Sequence, residues 1–229
     1  MKLPISDRLL ACAGRVPKGS CVADVGCDHG YLGIYLLSNG IASRVIASDV
    51  REQPLLSAVR NAGKYGVKDK MSFFLSDGVR NIPRDFDVLV CAGMGADTMV
   101  SILEAAPWLR SEGYTMILQC QSKTPMLREY LSANGWHIAA ETVLRDGRFL
   151  YTVMEVRWQP DAPKLSPAET YFPPVMLRVP VPETAEYFHW VTNGLQLAAD
   201  RQNDLEKQKI LAGLIALADQ HPWLKEETP

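Results

Sequence analysis

The sequence predicts an α/β chain. A mostly parallel, seven-stranded sheet ends in an antiparallel hairpin and is followed by a small helical part. Three observations carry this. Over the first 160 residues short apolar runs alternate with amphipathic stretches of helical period. After Gly135 that alternation stops, and two strand-like runs flank an Asp146-Gly147 pair. Beyond a proline-rich seam, apolar residues return at three-to-four spacing. Strands separated by helices imply a parallel sheet covered on both faces, and Asp-Gly between apolar runs is a hairpin signal.

In order, the parallel strands are Cys21–Val25, Val45–Ser48, Met71–Leu75, Val88–Ala92 and Thr115–Cys120. VLVCAG and MILQC are continuously apolar, as strands buried on both faces should be. YLGIYLL opens a helix. Gln53–Tyr65 groups Leu55, Leu56, Val59 and Ala62, the stretch after Gly95 groups Met99, Ile102, Leu103 and Ala106, and Pro125–Asn134 groups Met126, Leu127, Tyr130 and Leu131. Trp136–Leu144 and Phe149–Trp158 form the hairpin, joined by Arg145–Arg148. The layout resembles the Rossmann-like sheet of the class I S-adenosylmethionine (SAM) methyltransferases; a NAD-binding Rossmann domain would finish on a parallel strand. Seven prolines over 159–182 should break regular structure. Glu183–Gln220 then reads as helix, with a phase slip that favours a hairpin turning near Arg201–Asp204. The expected division is a domain at 1–159 and a seam with helices at 160–229.

The chain has 229 residues, 47% hydrophobic and 22% charged, with a net charge of −2. That composition excludes a mainly disordered chain and one that coats nucleic acid by bulk charge. Residues 1–159 carry 18 basic and 16 acidic side chains, net +2, while residues 160–229 carry 6 and 10, net −4. A polyanion-binding face therefore belongs to the first part. Cys12, Cys21, Cys27, Cys91 and Cys120 show no C-x-x-C spacing, so neither a disulfide framework nor a metal site is expected. Buried reduced thiols point to the cytoplasm. No leader peptide and no membrane span are expected.

The first strand ends in Asp24-Val-Gly26-Cys27-Asp28-His29-Gly30. In the dinucleotide fingerprint G-x-G-x-x-G the second glycine lets a pyrophosphate approach the helix N-terminus. Here Asp28 stands in that place. A carboxylate repels a phosphate and suits a cation, and SAM carries a sulfonium and an ammonium but no phosphate. The alternative is a plain tight turn. Asp49 ends the second strand, 25 positions after Asp24. There it either accepts ribose hydroxyls, as an acid about 20 residues past the glycines does, or caps the next helix. Asp77-Gly78 follows the third strand, beside an adenine pocket or as an ordinary turn. Three acids at three successive strand tips would share the carboxyl edge of the sheet, where open α/β folds bind ligands. The fourth strand runs into Gly93-Met94-Gly95, with no aromatic to stack on a base.

These residues resemble the bacterial TrmK family, the tRNA (adenine-22)-N1-methyltransferases. The markers are Arg8-Leu9, ADVGCDHGYLGIYLL, ASDV with Pro54-Leu55, Asp77-Gly78, AGMGA, the ILQ run, and Leu127-Arg128 with Leu131. The likeness runs from Arg8 to about Trp158. The chain departs from the family at Gly30 and Gly33, where alanine and proline are usual, at Ala96 in place of a glycine, and at Gln119-Cys120-Gln121-Ser122 in place of QPN. The family places helical, coiled-coil-like segments after the catalytic domain.

The resemblance implies methyl transfer from SAM to N1 of an adenine in the D-arm region of tRNA. It implies a catalytic cluster of Asp28, His29 and Tyr31. Asp24, Gly26, Cys27, Asp28, Asp49, Val50, Asp77, Gly78, Gly93, Met94 and Gly95 would hold the cofactor. Arg8, Arg15 and Met94 would meet the tRNA. For His29 a local hydrogen bond, for Tyr31 core packing, and for each arginine a solvated surface charge remain open. The expected partner is tRNA, without membrane or metal, for a monomer or homodimer. Two alternatives stand: a class I methyltransferase for another RNA or a small molecule, and a non-catalytic SAM- or RNA-binding module. A NAD oxidoreductase is opposed by Asp28 and by the terminal hairpin.

Overall fold

The computed structural model describes residues 3–202 and 204–226. Its elements are α1 (Asp7–Ala13), β1 (Ser20–Val25), α2 (Tyr31–Ser38), β2 (Ala42–Asp49), α3 (Glu52–Lys64), β3 (Met71–Leu75), β4 (Val88–Gly95), α4 (Ala96–Glu104), β5 (Thr115–Ser122), α5 (Thr124–Ala133), β6 (Trp136–Asp146), β7 (Phe149–Trp158), α6 (Pro167–Tyr171), α7 (Glu183–Gln202) and α8 (Leu205–Gln220). The seven strands form one sheet in the order β3-β2-β1-β4-β5-β7-β6. Strands β1 to β5 are parallel, and β7 runs antiparallel to both β5 and β6.

Side chains on successive strand residues point to opposite faces, and this alternation builds two cores. Ala23, Val25, Leu89, Cys91, Met116 and Leu118 face α4 and α5. Val22, Val88, Val90 and Ile117 face α1, α2 and α3. Asp24 follows Val22 on the second face and so lies beneath α2. Gly33 lets that helix sit low, since a Cβ there would stand 2.9 Å from both Val45 and Met71 side-chain atoms.

The expected elements are present, with three adjustments. The hairpin connection is tighter than Arg145–Arg148: Asp146 pairs with Phe149, and only Gly147 and Arg148 turn. Gly147 has φ +61° and Arg148 has no positive φ, the glycine-first geometry suited to a two-residue hairpin. Strand β4 continues to Gly95 through a bulge at Gly93. The seam is not wholly irregular. Ser166 and Glu169 form a capping box that starts α6 with Pro167 in its first turn, where a missing N–H costs nothing. The expected helical hairpin has Asp204 capping α8 through the amides of Glu206 and Lys207, while Asn203 lies outside the described residues.

The later elements pack on β6 through a third core that includes Val143, Phe172, Phe188, Leu195 and Leu214. Beside that core and the Arg145–Glu186 ion pair, one buried side chain ties them to the sheet. Arg128 on α5 is fully buried. It donates to both carboxylate oxygens of Glu141 on β6, to the Thr170 and Tyr171 carbonyls at 2.9 and 2.8 Å, and to the Tyr187 hydroxyl of α7 at 3.2 Å. Burial alone would pull the guanidinium pKa down, but the charge of Glu141 and the Tyr187 hydroxyl raise it, so Arg128 stays ionised. Removing one partner of a buried pair strands the other charge, at a cost of roughly 3–5 kcal/mol. Glu141→Ala should therefore lower unfolding free energy by about that amount in urea titrations. The paired replacement Arg128→Met with Glu141→Leu should lose less. A loss below about 1 kcal/mol for Glu141→Ala would place the pair in solvent.

Candidate active site

A cavity of about 450 Å³ opens at the carboxyl edge of β1, β2 and β4. Its lining brings together Asp24, Gly26, Cys27, Asp28, Asp49, Val50, Asp77, Gly78, Gly93 and Met94, which the sequence reading had spread over four strand ends. Gly95 follows at the start of α4. Arg8 also lines the cavity. His29 and Tyr31 do not: their rings lie 5.7 Å apart beside it, and Tyr31 packs partly against the α1–α3 core.

The turn after β1 takes its shape from three left-handed residues, Gly26 (φ +72°), Asp28 (φ +48°) and Gly30 (φ +72°). At Gly26 the backbone sets the demand, and a Cβ there would also displace the end of the flexible Met94 side chain, whose methyl would stand 2.3 Å away. Met94 reaches that position because the Gly93 bulge (φ +79°) swings it inward, with the Gly93 amide donating to Gln119 Oε1 at 3.0 Å. Gly26 and Cys27 donate their amides to the Ser48 carbonyl at 2.8 and 2.9 Å.

Asp49 ties three strand tips together. Its Oδ2 accepts from the Asp28 amide at 3.1 Å, its Oδ1 from the Arg51 amide at 2.9 Å, and its carbonyl from the Ser76 amide at 3.0 Å. The helix-cap alternative does not hold, since Arg51 occupies the N-cap position of α3 without a side-chain cap bond. The Arg51 guanidinium lies 3.6 Å from Asp49 and 3.9 Å from Asp28. Asp28 is also 3.6 Å from His29 Nε2. Asp77 is exposed and pairs with Arg80 at 3.3 Å. Arg8 donates to Asp146 at 2.5 Å and to Gln119 at 3.4 Å. Arg15 donates to Thr142 at 2.7 Å, away from the cavity.

Asp24 is a buried carboxyl in the cavity lining. Burial pushes its carboxyl up to about 7, a bond from the Gly33 amide pulls it back, and nearby Asp49 raises it further. The Oδ2 atom is buried with no hydrogen-bond partner among the described residues. Gly33 thus supplies a donor that a proline at this position would lack. With Asp28, Asp49 and Asp77 against Arg8 and Arg51, the wall is acidic and suits a cationic ligand. Among the described residues no group of three or more His, Cys, Asp or Glu is placed to hold a metal ion, and all five cysteines are free thiols. No described helix is long and apolar enough to cross a membrane.

Ser76, Thr98 and Ile102 also line the cavity and Arg51 joins its acids, none of which the strand-tip pattern marks. Ser76 and Arg51 each adjoin or nearly adjoin a strand-tip acid, a usable signal. Ile102 carried only a helical-core signal, yet it presses on Gly78, where a Cβ would stand 2.9 Å from it.

Residues 5–154 match a family model described as a methyltransferase domain. A tRNA (adenine(22)-N(1))-methyltransferase of Bacillus subtilis is 32% identical over 154 residues, which is 67% of this chain and 65% of that protein. A Mycoplasma genitalium protein, provisionally a tRNA methyltransferase, is 32% identical over 140 residues, 59% of this chain and 61% of its own. The alignments thus span under two thirds of both curated relatives. Among solved structures, a Streptococcus pneumoniae protein, provisionally a tRNA (m1A22) methyltransferase and bound to SAM, has a TM-score of 0.81 at 30% identity, covering 92% of this chain and 99% of that one.

The raised Asp24 pKa sets a pH dependence. Unfolded, the carboxyl releases its proton near 3.8; folded, near 7. Between those values the folded chain holds more protons, so stability falls as pH rises through the window and levels off above it. Asp24→Asn should flatten that fall in urea titrations at pH 5 and pH 8. An unchanged slope would mean that Asp24 ionises normally.

Proposed function

The chain belongs to the TrmK family of class I methyltransferases, and from that premise we propose that it transfers a methyl group from SAM to N1 of adenine 22 in tRNA. The observation that carries the reading is the acid-lined cavity with a buried, unpartnered Asp24 oxygen at its floor. The donor set fits the cofactor: SAM brings an ammonium, a sulfonium and ribose hydroxyls, and no phosphate. When bound, it supplies an electrophilic methyl group.

The chain's own residues divide the work by position. Asp24 and Asp28 would hold the cationic end of the cofactor. Each Asp49 oxygen, already holding one amide, has a lone pair left for a ribose hydroxyl. Asp77 and Gly78 would hold the adenine. Gly93, Met94 and Gly95 would meet the methyl group and the target base. Adenine N1 is neutral and attacks through an in-plane lone pair, so no proton has to leave first. The site must supply alignment and a negative field for the ring as it becomes cationic. Asp28, at the rim beside His29, supplies that field, and Tyr31 borders the entry for a base taken out of its stack. Arg8 reaches the cavity wall and serves as a phosphate contact. Arg15, bonded to Thr142, is a weaker one. We place the methyltransferase domain at 1–159 and the seam and helical domain at 160–229, and the protein in the cytoplasm, where its thiols stay reduced.

Labelled SAM and unmodified bacterial tRNA should yield 1-methyladenosine at position 22 after nuclease digestion. Label on another RNA or a small molecule would replace the substrate, and SAM binding with no transfer would leave a binding module. Asp49→Ala should weaken SAM binding by about tenfold or more, the scale of one lost charge-assisted hydrogen bond, measured by calorimetry. Asp28→Asn should lower kcat while the fold, read by circular dichroism, is kept.

A further inference from the structure

A second cavity, of about 390 Å³, lies beyond Gln121 between the carboxyl end of β5, the start of β7 and one face of α7. The two cavities adjoin, since Gln121 lines both. Arg8 of the first also holds its guanidinium 5.3 Å from the ring centre of Tyr151 in the second. The first is walled by four aspartates together with Arg8 and Arg51, whereas the second has no carboxylate in its lining but holds Lys123 and Lys207, each paired with an aspartate outside it, Asp97 at 2.9 Å and Asp204 at 3.0 Å.

Three features mark the second cavity. Trp190 lines it and is 65% exposed, with its ring 5.8 Å from that of Tyr187, although its helix buries Tyr187, Val191 and Leu195. Gly194, one turn on, weakens a helix interior relative to alanine, yet a Cβ there would meet nothing within 4 Å. With Ala198 a further turn along, it keeps the face beside Trp190 low and open. Thr152 is buried in the lining, and its hydroxyl has no partner among the described residues. Buried hydroxyls are normally bonded.

Resting on the tRNA reading above, we propose that this cavity receives an unstacked nucleobase adjacent to the target adenine on the same RNA strand. A strand that delivers its target base to Met94 passes Gln121 with the next nucleotide. Aromatic faces bind any base by stacking, and flanking cations follow the backbone. Trp190 and Tyr151 supply the faces, Lys123 and Lys207 the cations on exchanging Asp97 and Asp204 for phosphate, and Thr152 a hydrogen bond to the base edge.

The test is steady-state methylation of unmodified tRNA by the full chain, with SAM affinity measured in parallel. Trp190→Ala removes the stack; Gly194→Leu fills the groove while improving helix propensity, so a loss there is not unfolding. Each should raise KM for tRNA about tenfold, the scale of one base stack, with SAM affinity unchanged. Trp190→Phe should recover most of the loss. Wild-type KM in both variants would overturn the inference and leave the function standing. Wild-type KM with altered self-association in sedimentation would make the cavity a contact between copies of the chain, and also overturn it. A wild-type protein that methylates no tRNA would remove the functional reading and this inference with it.

Discussion

Arg128 is the point at which the sheet and the later helices become one structure. Its guanidinium has no solvent to fall back on, so every donor must be met by protein. Glu141 on β6, the α6 carbonyls and the Tyr187 hydroxyl meet them from three different elements. A buried ion pair is not in itself a strong source of stability. Its effect is on definition: in this arrangement of α5, β6, α6 and α7 neither charge of the pair is stranded. That arrangement sets α7 beside the end of β5, and so forms one wall of the lysine-bearing cavity.

The acid-lined cavity is held by the same logic at a smaller scale. Asp49 fixes the tips of β1, β2 and β3 with one carboxylate and one carbonyl. Asp24 is kept under α2 by alternation in β1 and by the Gly33 amide. The energetic cost of burying that carboxylate is visible in its raised pKa. A cation arriving in the cavity offsets part of this cost, which couples ligand binding to the ionisation of Asp24. The neighbouring cavities differ in what lines them, four aspartates with two arginines in one and aromatic rings with two lysines in the other.

Much of this was legible in the chain. Period-two and period-3.6 patterns gave the sheet and its helices, Asp146-Gly147 gave the terminal hairpin, and the strand-tip aspartates gave most of the cavity. These signals are local: each depends on a few adjacent residues and on backbone geometry. Less local matters were not legible. Arg128 appeared only as a marker beside Leu127, with nothing to say that it is buried. Arg15 read as a tRNA contact or else a solvated surface charge, and nothing in its spacing showed that it bonds Thr142, 127 positions away. The seam's prolines hid α6, since proline in a first turn and proline in a loop look alike until the capping box closes.

The sequence by itself determined the class of fold, the edge of the sheet where ligands bind and the charge of the residues that meet there. It did so because alternation and turn chemistry are fixed within a few residues of each position. Only the tertiary structure decided which acids share a cavity, that the Met94 methyl lies over Gly26, and that Gln121 stands between two cavities. Those facts depend on contacts between residues far apart in the chain, where spacing carries no information and packing alone sets distance.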